Sequence, residues 1–530
     1  MNHTPVRLVV AALLTVPAGA QICRLQELTW PDPQADARVG GSVALHGDTL
    51  AAGGIQVDLA TSPGGAVYVW RHQGGTWALE QKISSPAPTG FNTTFGRHVA
   101  LAGDRLVVSA NPTANTVWLL RRSGTQWTSS GELVGSAAQY AAYYGHAIAT
   151  DGEWIAVGAP HTWVPPSLVR TGGVSLFRDQ GGVVTEVAVL LPPWAAIHDE
   201  IGIALAMRGG VLVVGTAIGN SSASASLGRA VVYRIVNDQP VLEQELSVVN
   251  ASPGYVGSAL IGTGAAFGQI VATDGVRIAV GDRHCVQGSS IGRVDIWVHQ
   301  GGSWVHEGFV VAPPGAVGFV DRLAIEGEEL IVTQSGGDRV HHYRRIGGMW
   351  TSQHVTPVMP SSVFHTTGIA MQGGLLALGS TLSLAPLANA GRVAVHELGA
   401  GSWPYGAGIA GSGGLVPKLA GNGRPRIGQT FSIDLTNGLG GAVAVLGAGT
   451  TPWQSSLLGG TLWFTPIVAT AVLPLSGSSG VAGDGAFQFA LSLPSPSLVG
   501  ASACFQAAVL DPATPQGVAW SNAVEVVVGS

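Results

Sequence analysis

The chain has 530 residues, of which 11% are charged and 46% hydrophobic, with 77 glycines and 30 prolines. That mixture suits many short strands joined by tight turns better than helices, and the length favours several units or one large repeat architecture. A formal net charge of −6 leaves no basic footprint, so nucleic acid is excluded as an expected partner and no polybasic membrane contact is supported.

The chain opens with "MNHTPVRLVVAALLTVPAGAQ", in which Arg7 precedes an apolar run from Leu8 to Val16 and a small-residue ending, Ala18-Gly19-Ala20. This is the pattern of a secretory signal peptide over residues 1–20, too short to span a bilayer as a permanent helix. It implies a secreted or cell-surface protein. Gln21 and Ile22 separate the small residues from Cys23, which disfavours a lipoprotein anchor. No later segment offers about 20 uninterrupted apolar residues, so no transmembrane segment is expected. The three cysteines, Cys23, Cys285 and Cys504, form no CxxC pair and are too few for a disulfide framework. One bridge or three unpaired thiols both remain open.

From residue 39 onward the chain repeats itself. "VGGSVALHGDTLAAG" from Val39 returns as "FGRHVALAGDRLVVS" from Phe95, "YGHAIATDGEWIAVGAP" from Tyr144, "IGIALAMRGGVLVVG" from Ile201 and "FGQIVATDGVRIAVG" from Phe267. Two weaker copies start at Phe319 and His365. An alanine column (Ala44, Ala100, Ala149, Ala206, Ala272, Ala324, Ala370) is followed three residues later by a glycine column that starts at Gly47 and ends at Gly373. Each copy leads into a second module such as "GAVYVWRHQGGTW", whose last position gives Trp77, Trp127, Trp304, Trp350 and Trp403, with Val184 and Pro240 in the third and fourth copies. A further strand-like run, "ALEQKI" or "LEQELSVV", closes each unit. Four short strands per repeat is the content of one propeller blade. The seventh copy lacks its closing strand, and "CRLQELTWP" ahead of the first copy can supply it, which would close the ring. The expectation is an all-β chain with a seven-bladed β-propeller over residues 21–403.

The "FG…GAP" pattern, the G-x-V-x-[VIL]-[WFY] strand and the Trp after a glycine-containing turn resemble the FG-GAP repeats of bacterial secreted proteins and of integrin α-chain propellers. Kelch repeats share the aromatic-to-Trp spacing, but the paired glycines they carry after the second strand are missing. Calcium-binding FG-GAP repeats insert an Asp/Asn-rich loop between the first two strands, because a hard cation needs about 6 to 8 oxygen ligands. Here that space holds only Asp151-Gly152 in the third copy, and nothing longer elsewhere. Asp-Gly is a favoured two-residue hairpin turn, so calcium is disfavoured and no cofactor or metal is expected.

Two classes of longer loop, those joining second to third strands and those joining repeats, emerge on one face of such a disc, and variable loops on a rigid scaffold are where binding residues collect. At the start of the innermost strands on that face come Gly41, Arg97, His146, Ile203, Gln269, Asp321 and Thr367. Arg97, His146, Gln269 and Asp321 could form a polar ring around a ligand, or merely line a water-filled channel. Loop aromatics Trp163, Trp194, Tyr140, Tyr143 and Tyr144 could stack on a sugar or a peptide, or pack among loops.

Catalytic signatures are missing: there is no HExxH, nucleophile elbow, P-loop or dinucleotide fingerprint. His341 and His342 are neighbours on an expected strand and should face opposite sides. Asp199-Glu200 and Glu328-Glu329 are adjacent in sequence, whereas a glycosidase needs carboxylates about 5 to 9.5 Å apart across a substrate. No catalytic residue is assigned.

Residues 404–530 contain no histidine and few charges, and runs such as "QTFSIDLTN", "GAFQFALSLP" and "NAVEVVVG" read as a small Gly/Ala/Ser-rich β-sandwich. "YGAGIAGSGG", "LTNGLGG" and "SNAVEVVVG" are similar to C-terminal modules of large secreted planctomycete-type proteins. Ile409 and Arg424 stand where that pattern often has cysteines, so its disulfide does not carry over. The expected function is recognition or adhesion without catalysis, with an extracellular protein or carbohydrate ligand on the long-loop face and an envelope-association role open for the C-terminal module. The alternatives are an extracellular polysaccharide hydrolase or lyase using the same face, and a structural envelope component.

Overall fold

A computed structural model describes residues 22–57, 64–73, 76–86, 94–110, 116–136, 143–164, 169–197, 199–216, 228–247, 267–287, 290–316, 318–334, 339–346, 348–357, 366–381, 389–398, 401–405, 408–422, 425, 430–492 and 502–528. The expected signal peptide and Tyr140 lie outside them. The described residues are strands, turns, bends and 3-10 turns, among them Ser412–Gly414, without an α-helix. No described helix is long and apolar enough to cross a membrane. The chain divides into two compact units, Gln26–His396 and a second containing Glu397–Ser530.

The first unit holds seven four-stranded antiparallel sheets among its described residues, a layout consistent with a β-propeller. The first is Val39–His46, Thr49–Gly54, Ala66–Gln73 and Thr76–Ser84 in sequence order. The strands run from 4 to 11 residues, and a two-residue turn at Gly47-Asp48 joins the first two of them in the first sheet. In six of the sheets a β-bulge recurs between third and fourth strands, at Val69/Trp70, Leu119/Leu120, Leu176/Phe177, Val232/Tyr233, Ile296/Trp297 and His342/Tyr343. The seventh sheet takes Thr366–Gln372, Leu375–Ser380 and Arg392–Leu398 from one end of the repeat array, and Ile22–Leu28 from the other as its outer strand.

Apolar cores lie between sheets rather than within one centre. Ala51, Val67 and Val69 of the first sheet pack with Leu101, Leu106 and Val108 of the second, and Leu28, Val393 and Val395 of the seventh pack with Leu50 and Tyr68 of the first. The backbone locks each sheet to the next. Gly65 bridges Phe95, Gly172 bridges Ile201, Gly228 bridges Phe267, and Gly391 of the last repeat bridges Val39 of the first. At the end of the second strand, a Cβ added to Gly53 would stand 1.8 Å from Gly96 O, and one on Gly379 would stand 2.1 Å from Gly40 O. These glycines are required because main chain meets main chain there.

Side chains repeat the closure. The Gln81 amide brackets the main chain of Trp127, accepting from its N–H at 2.6 Å and donating to its carbonyl at 3.1 Å. Gln244 does the same to Trp304, and Gln26 of the N-terminal strand does it to Trp77, at 2.7 Å each way. Thus Gln26 performs for the first sheet what Gln81 performs for the second.

The second unit has a five-stranded sheet in the order Gly401–Tyr405, Val518–Val527, Ser502–Leu510, Val443–Leu457, Gly460–Pro474, and a three-stranded sheet of Lys418–Asn422, Thr430–Leu439 and Ala482–Ser492. Phe431, Ile433 and Phe489 of the smaller sheet share one core with Leu446, Phe505 and Val524 of the larger. Trp403, which the repeat frame places at the end of the seventh copy, sits instead opposite Glu525 in this larger sheet. Once Ile22–Leu28 fills the outer place beside Arg392–Leu398, that sheet is complete at four strands, and the following segment pairs along Val518–Val527.

Candidate functional site

The two ends of the channel through the first unit differ. At the tight-turn end the register is His46↔Thr49 in the first sheet and Thr150↔Ile155 in the third, and Asp151 N–H donates to Trp154 O. The central turn pair is therefore Gly152-Glu153, with glycine at the first position as a type II′ turn needs. Asp151 comes just before the turn rather than inside it, which corrects the Asp-Gly turn read from sequence. Its carboxylate is free to reach sideways: Oδ2 accepts from the N–H of Gly210 in the next repeat at 2.8 Å.

The same device recurs around the ring. Gln372 accepts from Gly47 N–H at 2.7 Å, Asp274 from Gly327 N–H at 2.7 Å, His46 from Gly103 N–H at 3.2 Å, and Glu326 from Gly374 N–H at 3.4 Å. Burial raises the Asp151 carboxyl above its ordinary value, opposed by its backbone hydrogen bonds. Among the described residues no group of three or more His, Cys, Asp or Glu is placed to hold a metal ion.

The opposite mouth opens into a cavity of about 490 Å³ lined by His98, His146, Gln269, Arg283, Arg322 and Thr367 among others. Below it Val43, Leu205, Val271, Leu323 and Ile369 form an apolar waist shared with a second cavity toward the tight-turn end. Of the residues singled out from sequence, His146 and Gln269 line this cavity, together with Gly41, Ile203 and Thr367 of the same column. His146 Nδ1 lies 3.3 Å from Ile203 O. Asp321 stands behind the wall: its Oδ1 accepts from Arg283 Nη2 at 2.9 Å and lies 3.7 Å from Arg322 Nη1. Arg97 is half-buried beside the histidines, and its Nε, like His98 Nε2, has no hydrogen-bond partner among the described residues.

The loop aromatics separate. Tyr143, 40% exposed and in the left-handed region at φ 71°, sets its ring edge against His161 at 4.8 Å and His146 at 6.4 Å. Tyr144 is fully buried at the FG position, its hydroxyl accepting from Gly135 N–H at 3.1 Å. Trp194 is packed rather than presented: its indole N–H donates to Glu245 and its face carries the Arg229 guanidinium at 4.3 Å. Trp163 pairs opposite Arg170 in a short hairpin, and its side chain lies outside the described residues. The adjacent histidines diverge, His341 to Gln334 and His342 to Glu329.

Three groups in the mouth escape the column reading. His98 and Arg322 come one residue after Arg97 and Asp321, so the strand lead-in turns two adjacent columns toward the cavity. Arg283 stands in the fifth copy where the third has Pro160, a basic residue in place of the proline of "GAP". Arg283 and Arg322 flank the Asp321 carboxylate, and Arg97 does not line the cavity. Burial, the His146 ring, Arg97 and Arg322 push the His98 imidazole down to about 3. Burial also lowers His146, with Arg97 and Arg322 adding to the fall against its contact with Ile203 O. Both rings are neutral at ordinary pH, poised beside uncompensated positive charge.

No protein-family model and no curated protein matches the chain. Solved structures similar to it include a chain of the mitotic checkpoint complex, 14% identical with a TM-score of 0.43 over 70% of this chain and 94% of that one. U3-55K is 11% identical with a TM-score of 0.43 over 72% and 98%. A putative 6-phosphogluconolactonase from Bacteroides uniformis is 13% identical with a TM-score of 0.40 over 62% and 86%.

Proposed function

We propose that the protein is a secreted, non-enzymatic recognition protein: a seven-bladed FG-GAP-like propeller that binds an extracellular ligand at the channel mouth, followed by an accessory β-sandwich. The observation that carries this reading is the mouth cavity itself, lined by His98, His146, Gln269 and the partly exposed side chains of Arg283 and Arg322. Ligand sites are characteristically concave, preformed and provided with a few placed polar groups. Support for seven blades comes from the seven four-stranded sheets and from the Gly391–Val39 and Gln26–Trp77 contacts. The FG-GAP reading is supported by the glycines that press main chain on main chain at the FG and GAP positions. No cofactor enters the proposal, since Asp151 and Asp274 are engaged with neighbouring turns.

A binding role is favoured over glycoside cleavage because the described residues lining the cavity include no carboxylate, and cleavage needs two. A glycan and peptide array probed with the purified full chain tests the reading. Binding that falls at least tenfold in His146→Ala and Arg322→Ala supports it; absence of any bound ligand, or binding indifferent to both changes, overturns it.

A further inference from the structure

The charge at the mouth specifies more than a generic ligand. The chain as a whole carries a formal charge of −6, yet the described residues lining the cavity include Arg283 and Arg322 and no carboxylate, with Asp321 standing behind them. Arg283 is committed through Nε to Val320 O and through Nη2 to Asp321, both contacts near 3 Å. Arg322 is tethered at Nε to Thr367 O and at Nη1 to Asp321 O, leaving its side chain 42% exposed. Arg97 Nε and His98 Nε2 are buried without partners among the described residues. Buried donors left unpaired are costly, and guanidinium pairs carboxylate and sulfate with directed, charge-assisted hydrogen bonds.

From this arrangement we infer that the mouth cavity binds an anionic sugar, a uronate carboxylate facing Arg283 and Arg322 with its ring hydroxyls toward Gln269 and Thr367. The inference rests on the recognition reading and narrows it. A cavity of about 490 Å³ whose lining turns apolar at the waist offers polar partners only over a short depth, which favours a terminal sugar over an extended acidic peptide. Tyr143 at the rim, with its ring partly open to solvent, offers an apolar face to the next sugar.

The test is calorimetric titration of the purified full chain with tetragalacturonate, its fully methyl-esterified counterpart, a poly-glutamate peptide and sodium sulfate. Expected are binding of tetragalacturonate, at least tenfold weaker binding of the ester, still weaker binding of peptide and sulfate, and a loss of affinity as salt rises. Arg322→Gln should weaken tetragalacturonate at least tenfold, and Arg322→Lys should recover part of the loss. Equal binding of acid and ester, or preference for poly-glutamate or free sulfate, overturns the anionic-sugar inference while leaving recognition standing. If the array and all four probes fail to bind, both fall together.

Discussion

The two ends of one channel, built by the same repeated strand, have opposite electrostatic accounts. At the tight-turn end, acceptors are spent on neighbours: His46, Asp151, Asp274, Glu326 and Gln372 each take an N–H from the following repeat's turn. At the mouth, donors outnumber acceptors, and Arg97 Nε and His98 Nε2 have none among the described residues. A surface whose polar groups are mutually satisfied contributes to stability and offers little to a ligand; one with donors in excess is costly to fold and available to bind.

The contrast can be broken most severely through the backbone contacts that hold both ends in place. Gly53→Ala forces a Cβ against Gly96 O, where Gly103→Ala meets nothing within 4 Å. The first should cost about 3 kcal/mol or more, and the second about 1 kcal/mol from its left-handed backbone alone, as read by urea unfolding. Next, Gln81→Ala removes both hydrogen bonds to Trp127 and should cost about 2 kcal/mol, with Gln26→Ala close to it if the N-terminal strand closes the ring as the Gln26–Trp77 pair implies.

At the tight-turn end, Asp151→Ala orphans Gly210 N–H and should cost about 1 kcal/mol, with no stabilising effect of calcium on either protein. Because the folded Asp151 carboxyl lies above its ordinary value, its contribution is most favourable at low pH and is lost as pH rises through that raised value; Asp151→Asn should flatten this part of the pH profile. At the mouth the sign reverses. His98 falls from 6.5 to about 3 on folding, so the unfolded chain binds the extra proton between those values and stability drops as pH falls through that window. His98→Gln should remove the drop in acid denaturation. A bound anion among Arg97, Arg322, Arg283, Asp321 and His146 would raise the ring again, so binding should tighten toward acid pH.

The smallest effect is expected at Val320. It occupies the FG glycine position with φ 67°, fully buried, and its Cγ1 fills the space above Gly281. Val320→Gly relieves about 1–2 kcal/mol of backbone strain and forfeits about 1.5 kcal/mol or more of burial, leaving a net change within about 1 kcal/mol in a thermal melt.

Much of this is legible in the repeat. The Ala and Gly columns mark the inner strand and its turn, since a short apolar run needs a glycine to reverse direction in two residues. A Gln two residues before a buried Ile or Leu, in "LEQKI", "LEQEL" and "RLQEL", marks the three Gln–Trp brackets and identifies the N-terminal strand as the outer strand of its sheet. The mouth is less legible. His146 and Gln269 follow from the column count, whereas His98 and Arg322 lie in the adjacent column, and Arg283 arrives from a different strand altogether. Trp194 and Tyr144 read as presentable aromatics because sequence shows loop placement but not the Glu245, Arg229 or Gly135 partners that engage them.

The sequence by itself determined the all-β class, the repeat, the closing role available to residues 23–31 and the tight turns between first and second strands, because these depend on local spacing and turn chemistry. Tertiary structure decided that Trp403 joins the second unit, that Asp151 braces the next repeat, and that two arginines from separate strands, Arg283 and Arg322, line one mouth. Those outcomes depend on which edges are already filled and which charges meet across the ring, and chain order does not encode either.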